Sequence, residues 1–158
     1  MKGGDGLKIR TEICDDGQEE VIIKCRARTD QIRNIEAMLE NLVAADREMI
    51  LHSSGVEYYV PIKEILFFDS YDGKIYAHTR ENTFTCDFKL FELENILPSS
   101  FLRISKSTVA NIMLISYLKR ELVGNGEIGF KDCDKRTYFS RGYYKLLRDK
   151  IDEMRLGK

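Results

Sequence analysis

The spacing of hydrophobic residues changes along the chain, and each change indicates a different secondary structure. Residues 7–14 and 20–26 are short runs rich in Ile and Val that flank D-D-G-Q, a sequence favourable for a tight turn, and they predict a β-hairpin. Over residues 30–42 the apolar residues recur at helical spacing, and Thr29 or Asp30 can cap the first turn. We therefore expect a hairpin followed by an amphipathic helix.

Beyond residue 45 the period shortens to two, which predicts successive β-strands joined by short turns. The expected strands cover residues 48–53, 56–62, 65–69, 74–79, 83–87, 117–122, 127–131 and 136–139. Helical stripes interrupt and end this series at residues 88–97 and 141–154. The predicted fold class is mainly β, α+β overall, with an N-terminal unit over residues 1–45 and a larger domain over residues 46–158.

One stretch, residues 101–111, combines apolar anchors with many hydrogen-bond donors in the sequence F-L-R-I-S-K-S-T-V-A-N. We expect a rigid loop whose polar side chains suit phosphates or base edges. These side chains belong to Arg103, Ser105, Lys106, Ser107 and Asn111. Short cationic strand ends also occur on ordinary solvated surfaces, so this stretch alone does not decide a function.

The overall charge conceals two halves of opposite sign. The composition, 43% hydrophobic and 32% charged, is typical of a folded globular protein, and the formal net charge is −1. Residues 101–158 carry 13 Lys and Arg against 7 Asp and Glu, hence +6, whereas residues 1–100 carry 12 against 19, hence −7. A polyanion would dock on the C-terminal half. Alternatively, the acidic half could be the operative surface of a protein-interaction module.

Several classes of function find no support in the sequence. No run of about 18 or more apolar residues occurs, and M-K-G-G-D-G at the start lacks the apolar region of a secretory signal, so we expect a cytoplasmic protein. The four cysteines are scattered, and neither histidine stands in a motif with a nucleophile. We therefore expect no metal, no cofactor, no small-molecule substrate and no enzymatic activity.

Four motifs between about residues 60 and 151 resemble the LytTR DNA-binding domain family in order and spacing. They are I-x-F-F-[DE] at 65–69, K-L-x-E-L-E at 89–94, F-x-R-I-x-[KR]-S-x-x-x-N at 101–111 and S-R-x-Y at 140–143. The N-terminal piece is similar to the extension of small LytTR regulators that lack a receiver domain. The resemblance implies an elongated stack of small β-sheets with short helices, whose loops enter successive major grooves of DNA without a recognition helix.

The resemblance also assigns roles to individual residues. Lys106, Arg141 and Lys74 correspond to base-reading positions, and Lys106 can donate to guanine or to phosphate. Residues expected to contact the DNA backbone or to orient the loops are Arg103, Ser105, Ser107, Asn111, Tyr71, Tyr143 and Arg136. For Asn111, a buried polar brace is an equally weighted interpretation.

The expected function is that of a sequence-specific transcription regulator of double-stranded DNA. The resemblance implies binding as a homodimer or as two copies on repeated half-sites. The hairpin and helix of residues 1–45 either pair with their counterparts in a second subunit or fold back on their own β body. Small LytTR regulators are often encoded beside a membrane protein that restrains them, so such a protein is a further candidate partner.

Overall fold

The computed structural model describes residues 7–13, 15, 17 and 19–156, which form two antiparallel sheets and three α-helices. The helices are α1 (Asp30–Ala45), α2 (Leu90–Ile96) and α3 (Tyr144–Leu156). The strands are β1 (Glu48–Ser53), β2 (Val56–Pro61), β3 (Phe67–Tyr71), β4 (Lys74–His78), β5 (Thr83–Cys86), β6 (Phe101–Ser105), β7 (Thr108–Asn111), β8 (Ile115–Lys119), β9 (Gly126–Phe130) and β10 (Arg136–Phe139). Short 3-10 turns cover Ile62–Glu64, Ile112–Leu114 and Arg141–Tyr143.

The larger sheet has seven strands in the order β2-β1-β5-β4-β3-β7-β6, and the smaller one has the order β10-β9-β8. Each paired strand runs antiparallel to its neighbours. Strand β1 shows the alternation expected of a half-buried strand, because Met49 and Leu51 are buried whereas Glu48 and Ile50 are exposed. The predicted mainly β architecture is confirmed.

Two hydrophobic cores lie on opposite faces of the central strands. In β3, Phe68 packs in the core that contains α2, and its neighbour Phe67 packs in the core that contains α3. In β7, Val109 and Ala110 divide in the same way. Strand β7 is thus buried along its whole length, whereas β3 is buried at its start and exposed at Ser70 and Tyr71, next to its turn.

Helix α1 lies against the β body through few polar contacts. Thr29 caps its first turn by accepting a hydrogen bond from the Ile32 backbone (3.4 Å), and Asn41 bonds with the Ser99 hydroxyl at 2.8 and 3.0 Å. Ile32 is buried, but Met38 and Leu42 are 55% and 65% exposed. The helix therefore keeps part of its apolar face uncovered. None of the described helices is long and apolar enough to cross a lipid bilayer.

Two sequence predictions need correction. The hairpin expected at residues 7–26 is wrong for the described part: residues 7–13 and 19–29 contain no strand, while positions 14, 16 and 18 lie outside the described residues. Ile9 and Ile13 are more than nine-tenths exposed, and a two-stranded ribbon without a packed face has little stability in water. The second correction concerns residues 101–111, which form the hairpin of β6 and β7 instead of a loop.

Candidate nucleic-acid interface

The turn between β3 and β4 is a tight two-residue connection. Asp72 and Gly73 both adopt positive φ angles, 49° and 72°, as a type I′ hairpin turn requires, and the flanking residues Tyr71 and Lys74 pair across it. Tyr71 is 74% exposed, and Lys74 is also exposed. The turn thus presents an aromatic side chain and a cation at the ends of two central strands.

The turn between β6 and β7 consists of Lys106 and Ser107, both exposed. The Ser105 hydroxyl accepts a hydrogen bond from the Ser107 backbone N–H (3.2 Å) and stabilises the turn. Beneath it, Arg103 Nε donates to the Ser105 carbonyl (2.7 Å), and another guanidinium N–H donates to the Lys106 carbonyl. Arg103 also binds the Glu94 carboxylate at 3.0 Å. The side chain of Arg103 is therefore occupied in holding the turn, while Lys106 stands at its tip.

The third turn joins β10 to α3. Arg141–Tyr143 forms a 3-10 turn in which the Tyr143 backbone N–H donates to the Ser140 carbonyl (2.9 Å). Arg141 and Gly142 are exposed, and Tyr143 is half-buried. Within the described residues, neither the Arg141 guanidinium nor the Lys106 ammonium group makes an ion pair or a hydrogen bond, although the Lys106 carbonyl accepts from Arg103.

Two backbone hydrogen bonds bring these three turns together on the β6–β7 hairpin. The Ser70 N–H donates to the Ser107 carbonyl (2.8 Å), and the Ser140 N–H donates to the Ile104 carbonyl (2.9 Å). A groove of about 480 Å³ lies between them. Of the residues predicted from the sequence, Tyr71, Ser105, Lys106, Ser107 and Tyr143 line it.

The remaining predicted residues lie beside or away from this groove. Arg141 lines an adjacent cleft, and Gly142 borders both spaces. Lys74 is on the far side of its turn and is not part of the groove lining. Arg136 lies on β10 with a guanidinium nitrogen 3.8 Å from the Glu127 carboxylate. These residues therefore do not converge on one point.

Asn111 is 4% exposed and cannot reach a phosphate. Its amide nitrogen donates to the Ile65 carbonyl (3.2 Å), and its amide oxygen accepts from the Met113 N–H (3.2 Å). Of the two interpretations that the sequence left open, the buried brace fits this geometry, and a direct backbone contact does not.

Sequence reasoning missed several residues of the groove. They are Asp69, Ser70, Thr108, Asn125, Thr137 and Tyr138. Tyr138 carried a usable signal, because it is an aromatic residue at an outward position of a strand, between the buried Thr137 and Phe139, and is 57% exposed. Asn125 lies between the predicted strands 117–122 and 127–131 and carried no such signal. The Asp69 carboxylate is engaged by His78 Nε2 at 2.9 Å.

Two pKa shifts mark polar side chains that are already engaged elsewhere in the β body. The hydrogen bond from Tyr117 to Glu127 (2.7 Å) raises the pKa of the Tyr117 phenol. Burial lowers the pKa of Lys135, whose ammonium group donates to the Asn82 carbonyl at 2.6 Å. Neither residue lines the groove. No cluster of three or more His, Cys, Asp or Glu side chains suited to a metal occurs in the described part of the chain.

Comparison with known proteins identifies the family. The LytTr DNA-binding domain matches residues 55–152, which is more than half of the chain. The chain belongs to this LytTr family. The resemblance stated from the four sequence motifs is thereby confirmed, and the family is a DNA-binding domain, not a class of enzyme.

Individual relatives agree with this assignment. An uncharacterized HTH-type transcriptional regulator of Staphylococcus aureus strain bovine RF122 is 33% identical over 94 residues, which cover 60% of this chain and 63% of the relative. Its counterpart in Staphylococcus aureus strain NCTC 8325 is 31% identical with the same coverage. The match therefore spans less than two thirds of the length of these curated relatives.

A solved structure shows the same fold. The LytTr DNA-binding domain of a DNA response regulator from Bacillus cereus superimposes with a TM-score of 0.61 at 23% identity, covering 66% of this chain and 96% of that one. In the described chain, five strands separate α2 from α3, so these two helices do not form a helix-turn-helix.

Proposed function

We propose that this protein is a sequence-specific transcription regulator that reads double-stranded DNA with turn residues placed in successive major grooves. The supporting observation is the pair of backbone hydrogen bonds, Ser70 to Ser107 and Ser140 to Ile104, that gathers three exposed turns around one groove in a member of a DNA-binding family. Donor-bearing turns on a rigid β scaffold can approach base edges without a helix.

The two principal base-reading residues are Lys106 and Arg141. The Lys106 ammonium group can donate to guanine O6 or N7, and the Arg141 guanidinium can bind the same edge through two parallel bonds. Since neither makes an ion pair within the described residues, DNA binding breaks no such internal contact at either position. Lys74 is a third base-reading candidate on the neighbouring turn.

Other side chains of this region are proposed to contact sugar and phosphate. Tyr71, Ser107 and Tyr143 line the groove and offer hydroxyl groups. Arg136 contributes less, because Glu127 already lies 3.8 Å from its guanidinium group. Such contacts position the protein on DNA but carry no sequence information.

Selection of bound fragments from random duplexes, followed by titration of variants, tests this function. Lys106→Ala and Arg141→Ala should each weaken binding to the selected site by about 1–3 kcal/mol and relax the base preference at one position. Lys63→Ala is the matched control, because this exposed lysine pairs with Asp46 and lies outside the groove and its neighbouring cleft. The proposal would be contradicted if Lys106→Ala and Arg141→Ala bound the selected site as tightly as Lys63→Ala does, with the same preference over random DNA.

We further propose that two copies bind together through α1 and the segment before it. Apolar side chains remain uncovered on both: Met38, Leu42, Val43, Ile9 and Ile13 are 55–93% exposed. A two-fold contact between such surfaces would bury them and set the spacing of DNA half-sites. A cytoplasmic location and a restraining membrane protein remain predictions.

Sedimentation analysis of the full chain tests the dimer. Leu42→Glu should convert it to the monomer, because the charge would be placed in the apolar contact. Ala37→Glu adds the same charge to an exposed position on another side of α1 and should leave the dimer intact. A wild-type protein that sediments as a monomer at concentrations well above those of DNA binding would refute this arrangement.

A further inference from the structure

A second cavity borders the groove and carries an unusual concentration of positive charge. It has a volume of about 250 Å³ and shares Gly142 with the groove. Three cationic side chains line it: Arg120, Arg141 and Lys145. They come from the β8–β9 loop, the 3-10 turn and α3, so the fold collects them from three elements.

Arg120 is held in place by aromatic rings. Its guanidinium carbon lies 4.5 Å from the centroid of the Tyr144 ring, and that ring stacks on Phe139 at 5.6 Å. Phe139 is buried and belongs to the hydrophobic core. A guanidinium stacked on an aromatic face keeps its N–H edge free to donate in its own plane. Arg120 is therefore oriented before any ligand arrives.

The charges in the cleft are not balanced from within. Glu121 is the one carboxylate among the lining residues, and Lys119 lies 3.4 Å from it. In the described chain, none of the three lining cations forms an ion pair. The cleft thus has an excess of positive charge that favours binding of an anion with several acceptor oxygens.

We infer that this cleft binds a backbone phosphate of DNA, and this inference rests on the proposed function. A phosphodiester fits better than free phosphate because the cleft continues into the groove through Gly142. Leu122, also a lining residue, is fully exposed and offers apolar surface to a deoxyribose ring. Arg120 and Lys145 then clamp the strand whose bases Arg141 reads.

A clamp of this kind predicts affinity without base preference. Neutralising a phosphate contact lowers the affinity for every duplex sequence by a similar factor, whereas loss of a base contact alters the preference at one position. Each phosphate contact also releases about 0.9 counterion, which appears in the slope of log K against log salt concentration. These two signatures separate Arg120 and Lys145 from Lys106.

The experiment compares Arg120→Ala, Lys145→Ala and Arg148→Ala in the full chain, on a selected site and on random duplex, across salt concentrations. Arg148 lies on α3, pairs with Asp152 and does not line the cleft, so it controls for the removal of one positive charge. The two cleft variants should weaken binding to both duplexes about tenfold and reduce the salt slope by about 0.9, and the control should change affinity less than about twofold.

A scan with single neutral methylphosphonate linkages then locates the contact. One position should weaken wild-type binding about tenfold and weaken the binding of Arg120→Ala clearly less, because that variant has already lost the Arg120 contact to this phosphate and keeps only that of Lys145. If both cleft variants behave as Arg148→Ala, or no linkage couples to Arg120, the inference is overturned even when Lys106→Ala still loses base preference. If the wild type binds no duplex at all, the proposed function fails, and the clamp fails with it.

Discussion

Replacement of Arg103 tests whether the β6–β7 turn must be held rigid to read DNA. The side chain is 23% exposed and makes three directed contacts, to the carbonyls of Ser105 and Lys106 and to the Glu94 carboxylate. It therefore links the turn to α2 without itself lining the groove. A substitution of Arg103 removes the hydrogen bonds that hold the turn but leaves the Lys106 side chain itself unchanged.

The size of the effect follows from these contacts. A hydrogen bond that involves a charged group contributes about 1.5–3 kcal/mol in a protected site, and partial exposure reduces that figure. We expect Arg103→Ala to lower the free energy of unfolding by about 2–4 kcal/mol. Arg103→Lys retains the charge but lacks the planar fork that reaches three acceptors, so it should lose about 1–2 kcal/mol.

Two measurements check this reasoning. Urea unfolding followed by circular dichroism gives the loss of stability, and titration with selected and random duplexes gives the specificity ratio. Arg103→Lys should lower the ratio, because a mobile turn no longer fixes Lys106 over one base pair. Arg28→Lys is the control, since the exposed Arg28 pairs with Glu36 of α1, outside the groove. Wild-type stability and an unchanged specificity ratio in Arg103→Lys would refute the idea that the guanidinium fork holds the turn.

Three further predictions concern the scaffold. Asn111→Ala should lower the free energy of unfolding by about 1–3 kcal/mol in urea titration, because a buried carbonyl and a part-buried N–H group lose their partner, and a silent variant would contradict the brace. Gly126→Ala should reduce the Tm more than Gly129→Ala. The methyl added at Gly126 meets a buried ring at 2.0 Å and a carbonyl oxygen at 2.8 Å, whereas the ring against Gly129 is partly exposed. A larger loss of Tm in Gly129→Ala would be evidence against this reasoning. Burial raises the pKa of the Cys86 thiol, so less thiolate is present near neutral pH. Mass spectrometry should therefore find that Cys86 is alkylated more slowly than the exposed Cys25, and that the alkylation rate of Cys86 rises as the pH approaches the raised pKa.

Much of the strand series was predictable from alternation. The predicted boundaries of β1 (Glu48–Ser53) and β10 (Arg136–Phe139) agree with the structure, since strands with one buried face show a period of two in sequence. Helix α1 extends three residues beyond its predicted end to Ala45. Boundary differences of this size arise where capping and packing, instead of periodicity, end an element.

The two errors have opposite physical causes. Residues 7–13 and 19–29 contain the Ile and Val of a strand but have no packing surface, so composition alone did not produce one. Strand β7 (Thr108–Asn111) is buried at all four positions because two cores enclose it, and this removes the alternation that identifies a strand. The sequence pattern consequently favoured a hairpin where none forms and a loop where a hairpin does.

The three-dimensional arrangement of the candidate site was less predictable than the identity of its candidate residues. Motif spacing predicts Lys106 and Arg141 as base-reading candidates, but the proximity of their turns depends on the Ser140-to-Ile104 backbone hydrogen bond, which joins segments distant in sequence. The groove contributions of Asn125 and Tyr138 depend on the same tertiary arrangement. Local patterns carry no information on which strand ends meet, so these residues emerge only from the fold.

The two hydrogen bonds that join the turns also determine how a disturbance should spread. Both end on carbonyls of the β6–β7 hairpin, at Ser107 and Ile104, so this hairpin is the common reference for its two neighbours. A change within it displaces the β3–β4 turn and the Arg141 turn together, whereas a change in the β3–β4 turn acts on the hairpin through the Ser70 bond and the β3–β7 ladder, and has no backbone hydrogen bond to the Arg141 turn in the described chain. Variants of Arg103 should therefore alter base preference at several positions of the DNA site, and variants of Tyr71 at one position at most. This difference in the number of affected DNA positions follows from the hydrogen-bonding pattern and does not depend on which bases are read.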